Sequence, residues 1–174
     1  MRKVWMLLAL LVAAFLTACS SPPPATLEDP DLMALFQAIN ELRAQGGVCP
    51  SGEMPPAPPL ELMGPVIAAA QHHAEDLESQ EVLTHATPPG SRYYPAGANA
   101  MDRITHERCY CRRVAENIAV ARDWQQALEL WLKSTEGHCE VLFDIDPKTG
   151  KRMDLKVVGL GRSGHYWVLD MALP

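Results

Sequence analysis

The feature that most constrains this chain is an unbroken apolar run from Val4 to Leu16, preceded by Arg2 and Lys3. The run is shorter than the ~20 residues needed to span a bilayer and has the charged-then-apolar order of an export leader. The rest of the chain is therefore expected to fold where disulfides form. Cys49, Cys109, Cys111 and Cys139 make an even set in that compartment, so two bridges are the natural count, with three connectivities open. A bridge between Cys109 and Cys111 would close a very tight loop. The rival use of His106, Cys109 and Cys111 is a soft-metal site, which oxidised pairing disfavours.

Leu16-Thr17-Ala18-Cys19 resembles the lipobox of bacterial lipoproteins, in which the Cys is acylated and becomes the first mature residue. The resemblance implies lipidation of Cys19, and two or three acyl chains would hold the chain at a membrane. Residues 1–18 then read as a lipoprotein signal peptide and 19–30 as the lipidated Cys with a Pro-rich tether. Residues 31–174 read as one folded domain, since 174 residues with 48% hydrophobic composition suffice for one core and not two. The formal charge of −6 deepens to −8 once Arg2 and Lys3 leave with the leader. With no basic run anywhere, nucleic acid is excluded as an expected partner.

Asp29-Pro30 is an N-cap with Pro at the first helical position, and Leu32, Leu35, Phe36, Ile39 and Leu42 form one stripe that Gly46-Gly47 ends. A Pro-rich loop carries Cys49 to a second helix over 64–81, with Val66, Ala70, His73 and Leu77 on one face. A short helix is expected over 100–107. Asp123 with Gln126 has the capping-box arrangement ahead of a helix whose stripe is Trp124, Ala127, Leu128 and Trp131. Residues 116–120, 141–145, 156–160 and 165–171 are β-rich, and Asp146 to Gly150 is turn chemistry suited to a hairpin between two of them. Helices first and strands late give an α+β class.

Five segments in order resemble the CAP superfamily, the cysteine-rich secretory, antigen 5 and pathogenesis-related proteins with their SCP-like extracellular domain. They are Asn40-Glu41-Leu42-Arg43, the helix around His73-Ala74, Leu83-Thr84-His85, Ala115-Glu116-Asn117-Ile118-Ala119, and Trp131-Leu132-Lys133-Ser134 leading to Gly137-His138. Val158-Gly159-Leu160-Gly161 and Tyr166-Trp167-Val168 look like the family's closing strands. The resemblance implies an α-β-α sandwich, with three to four helices around a small, mainly antiparallel sheet. It also implies a cleft where His85, Glu116 and His138 converge as ligands for zinc or another divalent metal, a donor set that suits zinc with a position left open. The opposite reading has each His bonded to Glu116 simply to pin loops.

Where eukaryotic relatives carry a second acid, this chain has Ser134, which thins the metal site unless Glu136 swings in. The resemblance further implies a Cys49–Cys139 bridge, leaving Cys109 with Cys111. His73 reads as a core histidine, and His106 and His165 as surface residues. Tyr93 and Tyr94, in a Pro/Gly loop, are expected at the cleft rim with Asn117.

Three functions remain open. The first is an exported, lipid-anchored binding module for a lipid, glycan or envelope protein. The second is a hydrolase using His85, Glu116 and His138 around a metal, or Ser134 as nucleophile. The third is a purely structural envelope protein. Whether the chain is an enzyme is not decided by these residues, though the binding reading leads because no oxyanion-hole motif is legible.

Overall fold

The computed structural model describes residues 25–174. The expected export leader, the expected lipidation site Cys19 and the start of the expected tether lie outside the described residues.

Asp29 caps α1 (Pro30–Gln45) by accepting from the Asp31 backbone N–H at 2.8 Å, and Gly46 ends the helix at φ 75°. Leu27, just ahead of the cap, is buried in the core, so the folded unit begins before residue 31. The Pro-rich loop contains a two-stranded ribbon that the sequence did not signal, β1 (Gly47–Cys49) with β2 (Gly52–Met54). After it come β3 (Glu61–Leu62), α2 (Gly64–Ser79), α3 (Ala100–His106), β4 (Arg113–Val120), α4 (Trp124–Leu132), α5 (His138–Leu142), β5 (Val157–Ser163) and β6 (Tyr166–Leu173). The main sheet has the order β3-β5-β6-β4; β3 pairs parallel to β5, and the other pairs are antiparallel.

Side chains alternate across this sheet, so each face receives its own helical layer. Trp167, Leu169 and Met171 of β6 pack with α1, α4 and α5, whereas Val168 packs with Ala70, Ala74 and Leu77 of α2 and with Ile118 of β4. The result is an α+β sandwich of helices around a mainly antiparallel sheet, as the resemblance implied. Helix α2 lies unusually close to β5. A Cβ on Gly159 would come within 2.1 Å of the Val66 backbone, and one on Gly161 within 2.4 Å of the Ala70 backbone, so only glycine fits at either place.

The segment 141–145 is not a strand. Residues 138–142 form α5, and the expected hairpin reduces to one bridge between Ile145 and Arg152 around the Asp146–Gly150 turn. Val141, Phe143 and Ile145 have the β-branched and aromatic character of a strand, but long-range ties override it. Gly137 turns the chain at φ 94°, with no room for a Cβ against Pro147. The Cys49–Cys139 bridge ties α5 to β1, and the buried Arg43 of α1 donates to the Leu142 carbonyl at 2.8 Å. Such a bridge, spanning 90 residues, contributes about 4–5 kcal/mol in the chain-entropy account.

Arg43 also donates to Pro58 O at 2.9 Å, and Asn40 exchanges two hydrogen bonds with the Leu60 backbone. The Asn40 to Arg43 segment is therefore a clamp joining α1 to the lead-in of β3. At α4, Asp123 caps by accepting from Gln126 N–H, while the Gln126 side chain accepts from Arg122 N–H rather than completing the reciprocal box. Of the three connectivities open to the four cysteines, the structure has the one the resemblance implied, Cys49–Cys139 with Cys109–Cys111.

Candidate functional site

Glu116 stands on the face of β4 that looks towards α2 and α3, directly across from Asp170 on β6. Its side chain is only 5% exposed, and both of its oxygens are engaged. One accepts from His85 Nδ1 at 2.8 Å; the other accepts from the Arg103 guanidinium of α3. Burial alone would raise this carboxyl, but the His85 hydrogen bond, Arg103 and His73 together hold it below the usual carboxylate range. It is an ionised, fully paired carboxylate.

Arg103 is the hub of this floor and was not singled out by the sequence. It is completely buried, and besides Glu116 it donates to the carbonyls of His85 at 3.0 Å and Ala98 at 2.9 Å. One guanidinium thus fixes both the carboxylate and the backbone of the histidine that the carboxylate orients. His73, buried on α2, contacts the Thr84 carbonyl through Nε2 at 3.0 Å and lies 3.9 Å from Glu116. Burial lowers its pKa to about 4, so it is neutral at pH 7 and acts as the core histidine expected of it. Asp170 is completely buried, and its oxygens have no partner among the described residues. Burial, then the nearby Glu116 charge, push it well above the ordinary range, towards the protonated form.

Above the floor, His85 is 56% exposed and His138 half-buried, their ring centroids 6.1 Å apart. His138 opens α5. Its carbonyl accepts from Asn117 Nδ2 at 3.0 Å, and its Nδ1 meets Ser134 Oγ at 2.7 Å. Ser134 Oγ also accepts the Glu136 N–H at 3.1 Å, a local turn that holds the hydroxyl against the ring. Burial and then the facing His85 lower the pKa of His138. The two imidazoles, Glu116 and Asn117 line a cavity of about 540 Å³, with Met101, Val114, Ala115, Val141, Pro147 and Lys148 among its other walls. Glu136 lines it too, from an exposed position.

Two expectations change. Tyr93 and Tyr94 do not line this cleft. The Tyr93 hydroxyl donates to Glu75 and its ring stacks on His72 at 4.0 Å, while the Tyr94 hydroxyl donates to Glu107 at 2.7 Å. These anchors draw both phenols to α2 and the end of α3. Ser134, likewise, touches His138 from behind rather than forming part of the cavity wall.

The carboxylate can only accept, so His85 must hold its proton on Nδ1, which leaves the Nε2 lone pair free. The Ser134 hydroxyl can accept or donate, so it serves either tautomer of His138. Among the described residues no three His, Cys, Asp or Glu side chains form a ready metal cage. What the cleft offers a cation is two imidazoles, His85 and His138, while Glu116 is taken up behind His85 as its orienting group.

Three solved structures share this architecture. An extracellular SCP-domain protein from Bacillus anthracis matches at TM-score 0.63 and 20% identity over 82% of this chain. This is the SCP-domain, or CAP, fold. An outer surface protein of Borrelia burgdorferi matches at TM-score 0.59 and 19% identity over 82% of the chain. A cysteine-rich secretory protein of Staphylococcus aureus matches at 0.58 and 14% over 86%. The CAP-fold chain spans 92% of the Borrelia protein but only 40% of each of the other two. No protein-family model matches the chain, and no curated protein matches it in sequence.

Proposed function

We propose that this chain is an exported, lipid-anchored binding module on the CAP fold, held to a membrane through Cys19. Its cleft takes a divalent metal such as zinc between His85 and His138, and over it a lipid, glycan or protein ligand of the cell envelope. Export is supported by the leader, by two disulfides, and by structural neighbours described as extracellular or outer-surface proteins.

The observation that carries binding over catalysis is the occupancy of Glu116: paired by His85 and Arg103 and held at low basicity, it is a poor general base. A metal would supply Lewis acidity to a bound oxygen ligand. The chain's own contribution is to fix two imidazoles, with Glu116 setting the tautomer of His85 and Ser134 bracing His138.

One observation favours a hydrolase as the second reading, the 2.7 Å contact of Ser134 with His138. The full chain, with and without zinc, would be tested for binding to soluble envelope glycan fragments and to phospholipid vesicles, beside a His85→Ala/His138→Ala variant. Binding that the variant loses, with the glycan recovered intact, supports the proposal. Cleavage that disappears in Glu116→Gln establishes the hydrolase, and absence of binding to every probe contradicts the module.

A further inference from the structure

The two disulfides differ in what they hold. The Cys49–Cys139 bridge joins elements 90 residues apart, and both of its half-cystines are buried in the main core. The Cys109–Cys111 bridge encloses a single residue, Tyr110, which is 80% exposed. A loop that short contributes least to constraining the unfolded chain.

The backbone on either side of it is pinned without it. The Cys109 N–H donates to the Ile104 carbonyl at 3.1 Å, ending α3, and the Arg112 N–H donates to the Leu173 carbonyl at 2.7 Å, starting β4 against β6. Opening the bridge therefore leaves both flanking elements anchored. Arg108, immediately ahead of Cys109, is held in the left-handed region at φ 66°, a conformation that costs a non-glycine residue free energy.

We propose that Cys109–Cys111 is a thiol–disulfide exchange site, taking electrons from the thiols of exported chains, while Cys49–Cys139 serves only to hold the fold. Cys109 is 4% exposed, packed with Val66, Ala69 and Ile104 and within 3.8 Å of the Met63 sulfur. Cys111 is half-buried, the more exposed of the two half-cystines, and is therefore the one assigned to attack by an incoming thiolate. Arg108, Arg112 and Arg113 flank the pair and are all exposed, a concentration of positive charge in a chain of net −6. Arg113 pairs with Asp154 at 3.3 Å and Arg112 Nε donates to Pro174 O at 3.2 Å, whereas Arg108 forms no ion pair with an acidic side chain among the described residues. Unspent guanidinium charge favours the thiolate states through which exchange passes, and draws an attacking thiolate to the site.

A thiolate of the donor attacks Cys111 Sγ, the intramolecular S–S bond breaks, and Cys109 leaves with the electron pair and takes up a proton. The donor's second thiol, losing its proton, attacks the donor sulfur of the mixed disulfide and releases Cys111, which is protonated in turn. The donor dithiol ends as a disulfide and Cys109 and Cys111 as thiols, two electrons and two protons having moved.

The test uses the full chain with both bridges oxidised, mixed with a reduced synthetic dithiol peptide, quenched by alkylation and mapped by mass spectrometry. The expected result is one peptide disulfide formed per chain, with alkylation at Cys109 and Cys111 and none at Cys49 or Cys139. A second arm with reduced glutathione is expected to trap an adduct on Cys111, showing reactivity towards a small monothiol as well. A Cys109→Ser/Cys111→Ser variant, which the anchored backbone keeps folded by circular dichroism, should leave the peptide reduced. Arg108→Ala should slow exchange several-fold. The proposal is overturned if the peptide stays reduced, if the double-Ser variant oxidises it equally well, or if both bridges open together.

Discussion

The floor and the rim of the cleft carry the same residue types and obey different rules. On the floor, Glu116, Arg103 and His73 are buried and held by their partners, the charges of Glu116 and Arg103 are paired, and Asp170 is buried beside them. At the rim, His85 and His138 face solvent, with lone pairs to spare and single supports beneath them. Burial makes the floor a stability element and exposure makes the rim the proposed binding element, although one residue, Glu116, belongs to both.

The largest expected effect breaks the floor. Replacing Arg103 by Met leaves the buried Glu116 carboxylate without its cation and should cost about 3–5 kcal/mol in denaturant unfolding. His85→Ala at the rim should cost less than about 1.5 kcal/mol, because its ring is 56% exposed and it loses one hydrogen bond to Glu116. Equal costs at the two sites would erase the distinction.

Acid probes the floor next. His73 titrates near 4 when folded and at 6.5 as a free side chain, so between those values the unfolded chain binds the extra proton. The stability contributed by keeping His73 neutral is complete above pH 6.5 and is lost as pH falls towards 4, by on the order of 3 kcal/mol. A His73→Gln variant should show a flatter unfolding free energy across that window. An unchanged slope would remove His73 from the account.

How much of this was legible in the sequence follows the same division. The stripe of α1, the Asp29 and Asp123 caps, and the histidines and acid of the cleft could be read because local periodicity and short ordered motifs carry them. Arg103 could not, since nothing in a seven-residue helix distinguishes a surface arginine from one whose guanidinium is buried under three carbonyl and carboxylate partners. Asp170 was hidden in the same way; its burial follows from the register of β6 against β4. Residues 141–145 misled because a disulfide and an arginine from distant segments hold 141–142 in α5 and leave 143–145 to a turn and a single bridge despite their β-type side chains. The tyrosines were misplaced because Glu75 and Glu107, far from them in sequence, claim their hydroxyls.

The smallest expected effect on stability sharpens the rim. Ser134→Ala removes a brace from His138 at a half-buried position and should shift stability by no more than about 0.5–1.5 kcal/mol. It should, however, weaken divalent-metal binding measurably, because His138 loses the group that orients its ring. Unchanged affinity would confine Ser134 to its local turn.

The central claim is that His85 and His138 hold the metal while Glu116 orients His85 from below. The direct test is calorimetric zinc titration of the wild type, Glu116→Gln and His85→Ala/His138→Ala, each with both disulfides intact. The account predicts one-to-one binding in the wild type, binding weakened about 10–100-fold in Glu116→Gln with the stoichiometry kept, and none in the double variant. No binding by the wild type, or a Glu116→Gln variant as silent as the double variant, would contradict it.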